Sequence, residues 1–279
     1  MWVIDPWLVV AVVGLVVAYA GAAWLVGRQP TPRQAGSYMA GVLAIFFALS
    51  GPIDQLTSDR LFTAYILQQM ILVLVAAPLL LMGLPDWMLR PAFTNRWLRP
   101  FWRVMTRPLV AFLTFSLVFA LIHYPPVCDR ICHMQQFYAS IRVTLVVVGV
   151  LLWWPLFSPL PEFPPLPYPI QIMYLFLLSI PMTAVAAPIT LSDSVVYMFY
   201  QGGVHPWGLT PIDDQVLGGL LMWVGEMFYL MTIFTVVFIR WAEADNDTAP
   251  RPKRQPAPVR LLPPRVDPAT LPSASVRPG

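Results

Sequence analysis

The chain has 279 residues, of which 58% are hydrophobic and 11% charged, with a net charge of +3 and a mean hydropathy of +0.66. A soluble domain carries about a quarter charged residues, so this composition excludes a water-soluble fold around one core. It points to an integral membrane protein whose helices satisfy their own backbone groups in lipid.

The first apolar run, 6–27, lacks a basic leader and is too long for a signal peptide, so it reads as a span. Further spans of about 20 residues are expected at roughly 36–53, 61–84, 108–124, 136–157, 168–190 and 215–240. The sixth contains Pro169, Pro181 and Pro188 and is expected to be kinked or broken. The fold expected is all-α: a polytopic membrane bundle of seven transmembrane helices over residues 1–244. Residues 245–279 are rich in Pro and Arg and read as a disordered cytoplasmic tail.

Charge sets the orientation. Of the 17 Lys and Arg residues, all but Arg60, Arg130 and Arg142 fall in the first and third loops or from Arg240 onward. The positive-inside rule then places the N-terminus out and the C-terminus in. On that reading Asp5, Asp54, Asp59, Asp129, Asp193, Asp213 and Asp214 face the outer compartment. So do His123, His133, His205, Cys128 and Cys132. The basic excess reports topology and does not point to a nucleic-acid partner.

The stretch "PPVCDRICHM" holds both cysteines. On a helix, residues four apart share a face, so Cys128 and Cys132 could hold Cu(I), with His133, Met134 or His123 as further donors. The same pair also reads as a disulfide, since the outer compartment is oxidising, or as two inert thiols. Arg142 and Glu226 are charges inside spans, where ionisable residues are usually paired or functional. At 1.5 Å per residue they lie roughly 9 and 16 Å from the outer ends of their helices. Asp213, Asp214 and Gln215 open the last span, where an aspartate caps a helix and complements its dipole. Tyr197 and Tyr200 read as interface aromatics. No phosphate loop or nucleophile–base grouping is visible, so no catalytic residues and no enzyme are expected. No inverted repeat suggests a transporter.

Three stretches together resemble a known family: "SGPIDQLTSDRLFTAYILQQMILVLVAAPLLLMGLP", then "IHYPPVCD" leading into "LLWWPLFSPLP", and "PIDDQVLGGLLMWVGEMFYL". Over residues 40–240 the chain is similar to the CtaG family of cytochrome c oxidase assembly factors. That resemblance implies a multi-pass protein of the bacterial cytoplasmic (inner) membrane, linked to copper delivery to a respiratory-chain oxidase. Its partners would be oxidase subunits or another membrane protein of that chain. His123 and Asp129 match a family histidine and aspartate, and Asp214 and Gln215 match a family pair. The family pattern His-x-x-Gln-His falls on Tyr65, Gln68 and Gln69, and two further histidines fall on Tyr138 and Arg142. Glu226 stands at a glycine. The expectation is that Arg142, Glu226, Tyr65, Gln68 and Gln69 form a polar network in place of the lost histidines. The alternative to a copper-handling chaperone is an accessory subunit that keeps the fold, has lost the metal site and binds a respiratory partner.

Overall fold

Proline and threonine decide where several helices start. The first helix, α1 (Pro6–Val26), is capped by the Asp5 carboxylate, which accepts from the Trp7 N–H. The second, α2 (Pro32–Ala48), opens on a Thr31–Gln34 capping box. In both, Pro occupies the first turn, where its missing N–H leaves nothing unpaired. The computed structural model describes residues 5–204 and 206–248, apart from the side chains of 135–138 and 246–248. His205, the Tyr138 side chain and almost all of the expected tail lie outside the described residues.

After α2 the chain turns into a short α3 (Gly51–Ser58) and then α4 (Phe62–Gly83). Two short helices follow, α5 (Asp86–Thr94) and α6 (Arg99–Met105), then α7 (Pro108–His123) and α8 (Pro125–His133). The remaining helices are α9 (Gln135–Phe157), α10 (Tyr168–Thr190), the one-turn α11 (Met198–Gln201) and α12 (Pro211–Asp245). No strand occurs among the described residues.

Six helical segments are long and apolar enough to cross a membrane, with α2 and α3 counted as one. A seventh is reached only by joining α6 to α7 across a 74° bend, because α7 alone has 16 residues. The expected seven spans are therefore six, or seven with that bent pair. Of the two outcomes expected for the sixth span, kinked or broken, the second does not occur: α10 runs through Pro181 and Pro188 as one helix, as membrane bundles permit when neighbours satisfy the freed carbonyls. The cysteine segment between the fourth and fifth expected spans folds as α8, started by Pro125 and Pro126.

Helix α4 is the central post; two-thirds of its most apolar window is buried, against 11% for α1. Its middle, Ile71–Ala76, is a π-helical turn. Such a turn displaces carbonyls from the regular ladder, and two of them are taken by neighbouring helices. Trp153 Nε1 of α9 donates to Val73 O at 2.8 Å, and Tyr229 Oη of α12 donates to Leu74 O. The second tryptophan of the pair, Trp154, instead stacks on Phe93 of α5 at 4.6 Å. Helix α12 has its own π turn at Leu221–Gly225. Near its start, Gly218 and Gly219 let α4 and α10 approach. A Cβ at Gly218 would lie 2.5 Å from the Phe62 ring, and one at Gly219 would lie 2.2 Å from Thr190 Oγ1. Helix α1 attaches at the rim through a Tyr19–Tyr38 stack at 4.1 Å and a bond from Tyr19 Oη to Gly83 O at 2.9 Å.

Candidate functional site

The end of the bundle where α4 and α12 begin and α7 ends gathers most of the singled-out residues. Helix α8 lays Cys128 and Cys132 on one face, and their sulfurs are 3.9 Å apart. Both are free thiols; Cys128 is buried and Cys132 half-buried. Tyrosines wall them in. The Tyr65 side chain is hydrogen-bonded to Cys128, and Cys132 Sγ lies 3.5 Å from Tyr200 Oη. The rings continue the cage, with Tyr65–Tyr200 centroids at 5.7 Å, Phe62–Tyr200 at 5.2 Å and Phe62–Tyr197 at 5.0 Å.

The two thiols are driven apart in acidity. The hydrogen bond to Cys132, together with burial, pushes the Cys128 thiol up. The same bond, with help from Tyr200, pulls the Cys132 thiol down. In one pair, then, Cys132 is the sulfur that ionises first, and Cys128 S–H and Tyr200 O–H are placed to donate to it. The thiolate is the form that attacks and that binds metal.

His123, at the end of α7, touches the same cage; its ring lies 6.4 Å from that of Tyr65. Its Nδ1 donates to Phe119 O at 2.9 Å, and its backbone carbonyl accepts from Tyr197 Oη at 2.8 Å. In the neutral ring Nε2 then carries the lone pair. That atom is buried with no hydrogen-bond partner among the described residues. His133 and Met134 do not join: His133 sits edge-on to Phe199 at 5.0 Å, and Met134 is 37% exposed. Among the described residues, no three of His, Cys, Asp and Glu converge as a metal site. The 3.9 Å gap between the sulfurs does admit one ion bonded to both, at about 2.3 Å each. The residues therefore fit a soft, low-coordinate ion and not a closed four-ligand centre.

The expected Arg142–Glu226 pair is not formed. Arg142 Nη2 donates to Asp54 Oδ1 at 2.7 Å and to Gln68 Oε1 at 3.2 Å. Gln68 Nε2 in turn donates to Asp54 Oδ1 at 3.2 Å, which closes a triangle. The reason is height: Asp54 on α3 lies at the level of Arg142, near the bundle end, whereas Glu226 lies deep in α12. Asp54 was visible in "SGPIDQ", but only the fold shows that α3 brings it to Arg142. Gln69 stands apart from the triangle. Both its amide atoms are buried and unbonded among the described residues. Cavities of about 10 Å³ on either side of it approach the least that one water needs.

The matched polar residues at this end are latches. Asp214 does not cap its own helix; Asp213 does that, in a capping box with Thr210. Asp214 is fully buried and accepts from Phe62 N at 2.7 Å and Thr63 N at 3.0 Å. It thus caps α4 from across the interface. Gln215 accepts from Val196 N and donates to Ile189 O and Ser194 O, which ties down the segment after α10. Asp129 accepts from Met198 N and Phe199 N at the start of α11 and so holds Tyr200 over the thiols. Tyr197 and Tyr200, read from sequence as interface aromatics, are buried instead.

The family model for the cytochrome c oxidase caa3 assembly factor matches residues 17–244. The chain belongs to this family. The matched range runs from α1 into the end of α12 and takes in every residue of the thiol cage and the latches. Uncharacterized proteins of Mycobacterium bovis and Mycobacterium tuberculosis are each 27% identical to it over 283 residues. The alignment covers 91% of this chain and 41% of each relative, so the chain spans about two-fifths of their length. No solved structure matches.

Proposed function

We propose that this caa3 assembly factor works in the bacterial cytoplasmic membrane, N-terminus out and C-terminus in. It carries Cu(I) as cargo between Cys128 and Cys132 for the oxidase it helps to mature. One observation carries the reading: two free sulfurs 3.9 Å apart in a phenol-walled cage. Cu(I) prefers soft sulfur ligands, and its binding would release the thiol protons. The lowered Cys132 thiol makes that release easier, and the neighbouring phenols can steady the resulting charge. An outer position for this cage is supported by the basic loops and tail under the positive-inside rule. Oxidase subunits are the partners the reading implies.

The test is copper loading. The purified protein is reduced, equilibrated with Cu(I), desalted and assayed for metal beside Cys128→Ser/Cys132→Ser. The reading expects about one copper per chain in the wild type and none retained by the double variant. Equal retention by both would remove the thiols from any copper role. A second reading, an accessory subunit that has lost the metal site, is favoured by the lack of a three-residue metal group among the described residues. Stable one-to-one co-purification with an oxidase, without cysteine-dependent copper, would support it.

A further inference from the structure

Glu226 has no part in the thiol cage. It is 2% exposed and makes no hydrogen bond or ion pair among the described residues. It follows the π turn of α12 directly, about 15 residues or 22 Å from the start of that helix. Across from it, Ser179 is the middle residue of α10. Both therefore sit near mid-depth of a hydrocarbon core about 30 Å thick.

Glu226 opens into a groove of about 670 Å³ between α10 and α12. That volume lies within the range of small-molecule sites, which are mostly apolar with a few placed polar groups. Phe176, Trp223 and Met231 supply apolar wall, and Ser179 and Thr183 supply hydroxyls on the face opposite Glu226. The groove opens on the lipid flank, where Met173 and Phe176 are exposed at 70% and 77%. A carboxyl at this depth needs a cation or, as the acid, an acceptor for its proton. Among the described residues, no lysine, arginine or histidine lines the groove. Phospholipid headgroups lie about 15 Å away along the normal, so their polar atoms do not reach it. The groove's depth and its lipid-side opening suit a membrane-dissolved molecule with its polar atoms set deep.

We propose that the α10–α12 groove binds a flat, carbonyl-bearing, membrane-dissolved molecule of the quinone class. One carbonyl accepts from the Glu226 carboxyl, and the ring lies against Phe176 and Trp223. Ser179 Oγ already donates to Phe176 O at 2.8 Å, which leaves Thr183 as the hydroxyl donor for a second carbonyl. The proposal is independent of copper handling by the thiols.

The test titrates full-length protein in nanodiscs with decylubiquinone and follows tryptophan quenching. Decane serves as the apolar control without carbonyls. Saturable quenching is expected, lost in Trp223→Phe. Glu226→Gln keeps a hydrogen-bond donor and should bind within about threefold of the wild type. Glu226→Leu should bind about tenfold more weakly, the worth of one buried hydrogen bond. Met173→Trp, at the rim, should block entry while leaving Glu226 intact, and unchanged helix content certifies each variant as folded. Non-saturable quenching, or equal affinity in wild type and Glu226→Leu, would overturn the proposal. So would a photo-crosslinker at Met173 that captures a membrane protein with no competition from decylubiquinone, since a partner helix would then fill the groove.

Discussion

The Asp54–Arg142 pair offers the sharpest check on how this bundle is held. Its N–O distance is 2.7 Å, and the side chains are 24% and 23% exposed. At an effective dielectric near 20, unit charges about 4 Å apart attract by about 4 kcal/mol. Partial exposure and the cost of desolvating both groups reduce this. Fully exposed pairs give about 0–1 kcal/mol, and breaking a fully buried one costs about 3–5 kcal/mol. A coupling of about 2 kcal/mol is the expectation. The assay is a double-mutant cycle of Asp54→Asn and Arg142→Gln, read by thermal denaturation in detergent. Each single variant should lower the midpoint by about 5 °C, and the double variant should lose much less than the sum. The exchange Asp54→Arg/Arg142→Asp should recover part of the loss. Additivity within about 0.5 kcal/mol for this pair, alongside coupling between Arg142→Gln and Glu226→Gln, would refute the assignment and return Arg142 to Glu226.

Other outcomes follow from the latches and the cage. Asp214→Ala removes the acceptor for two buried backbone N–H groups at the start of α4 and should destabilise by about 2 kcal/mol or more, while Asp213→Ala at the exposed box should lower the thermal midpoint less. Gly219→Ala forces a methyl against Thr190 and should cost about 1–3 kcal/mol; pairing it with Thr190→Ala should restore much of the loss. Because the folded Cys132 thiol is pulled down, its alkylation should be half-maximal below the ordinary thiol value of about 8.5, while Cys128 stays unlabelled over the same range. Tyr200→Phe removes a donor to the thiolate and should move the Cys132 profile to higher pH, as peptide mapping by mass spectrometry can show. The stability that this shift contributes is present at alkaline pH and fades as pH falls through the lowered Cys132 value.

Apolar run length and proline positions were enough to find the long helices of this protein. Span length is a property of the bilayer, and the start of a helix is local chemistry, so 168–190 and Pro108–His123 were legible almost to the residue. The motif residues Asp214, Gln215 and His123 were legible as important, and the family with them. Their partners were not. Asp214 caps a helix that begins 152 residues earlier, and Arg142 reaches an acid 88 residues away. No periodicity within one helix encodes which neighbour stands at its own height. The span count turned on the 74° bend before α7, which hydropathy does not report. The lone Glu226 shows the same division. Its place inside a span was plain from the sequence; that it faces a lipid-open groove and not Arg142 was decided by how α10 and α12 pack.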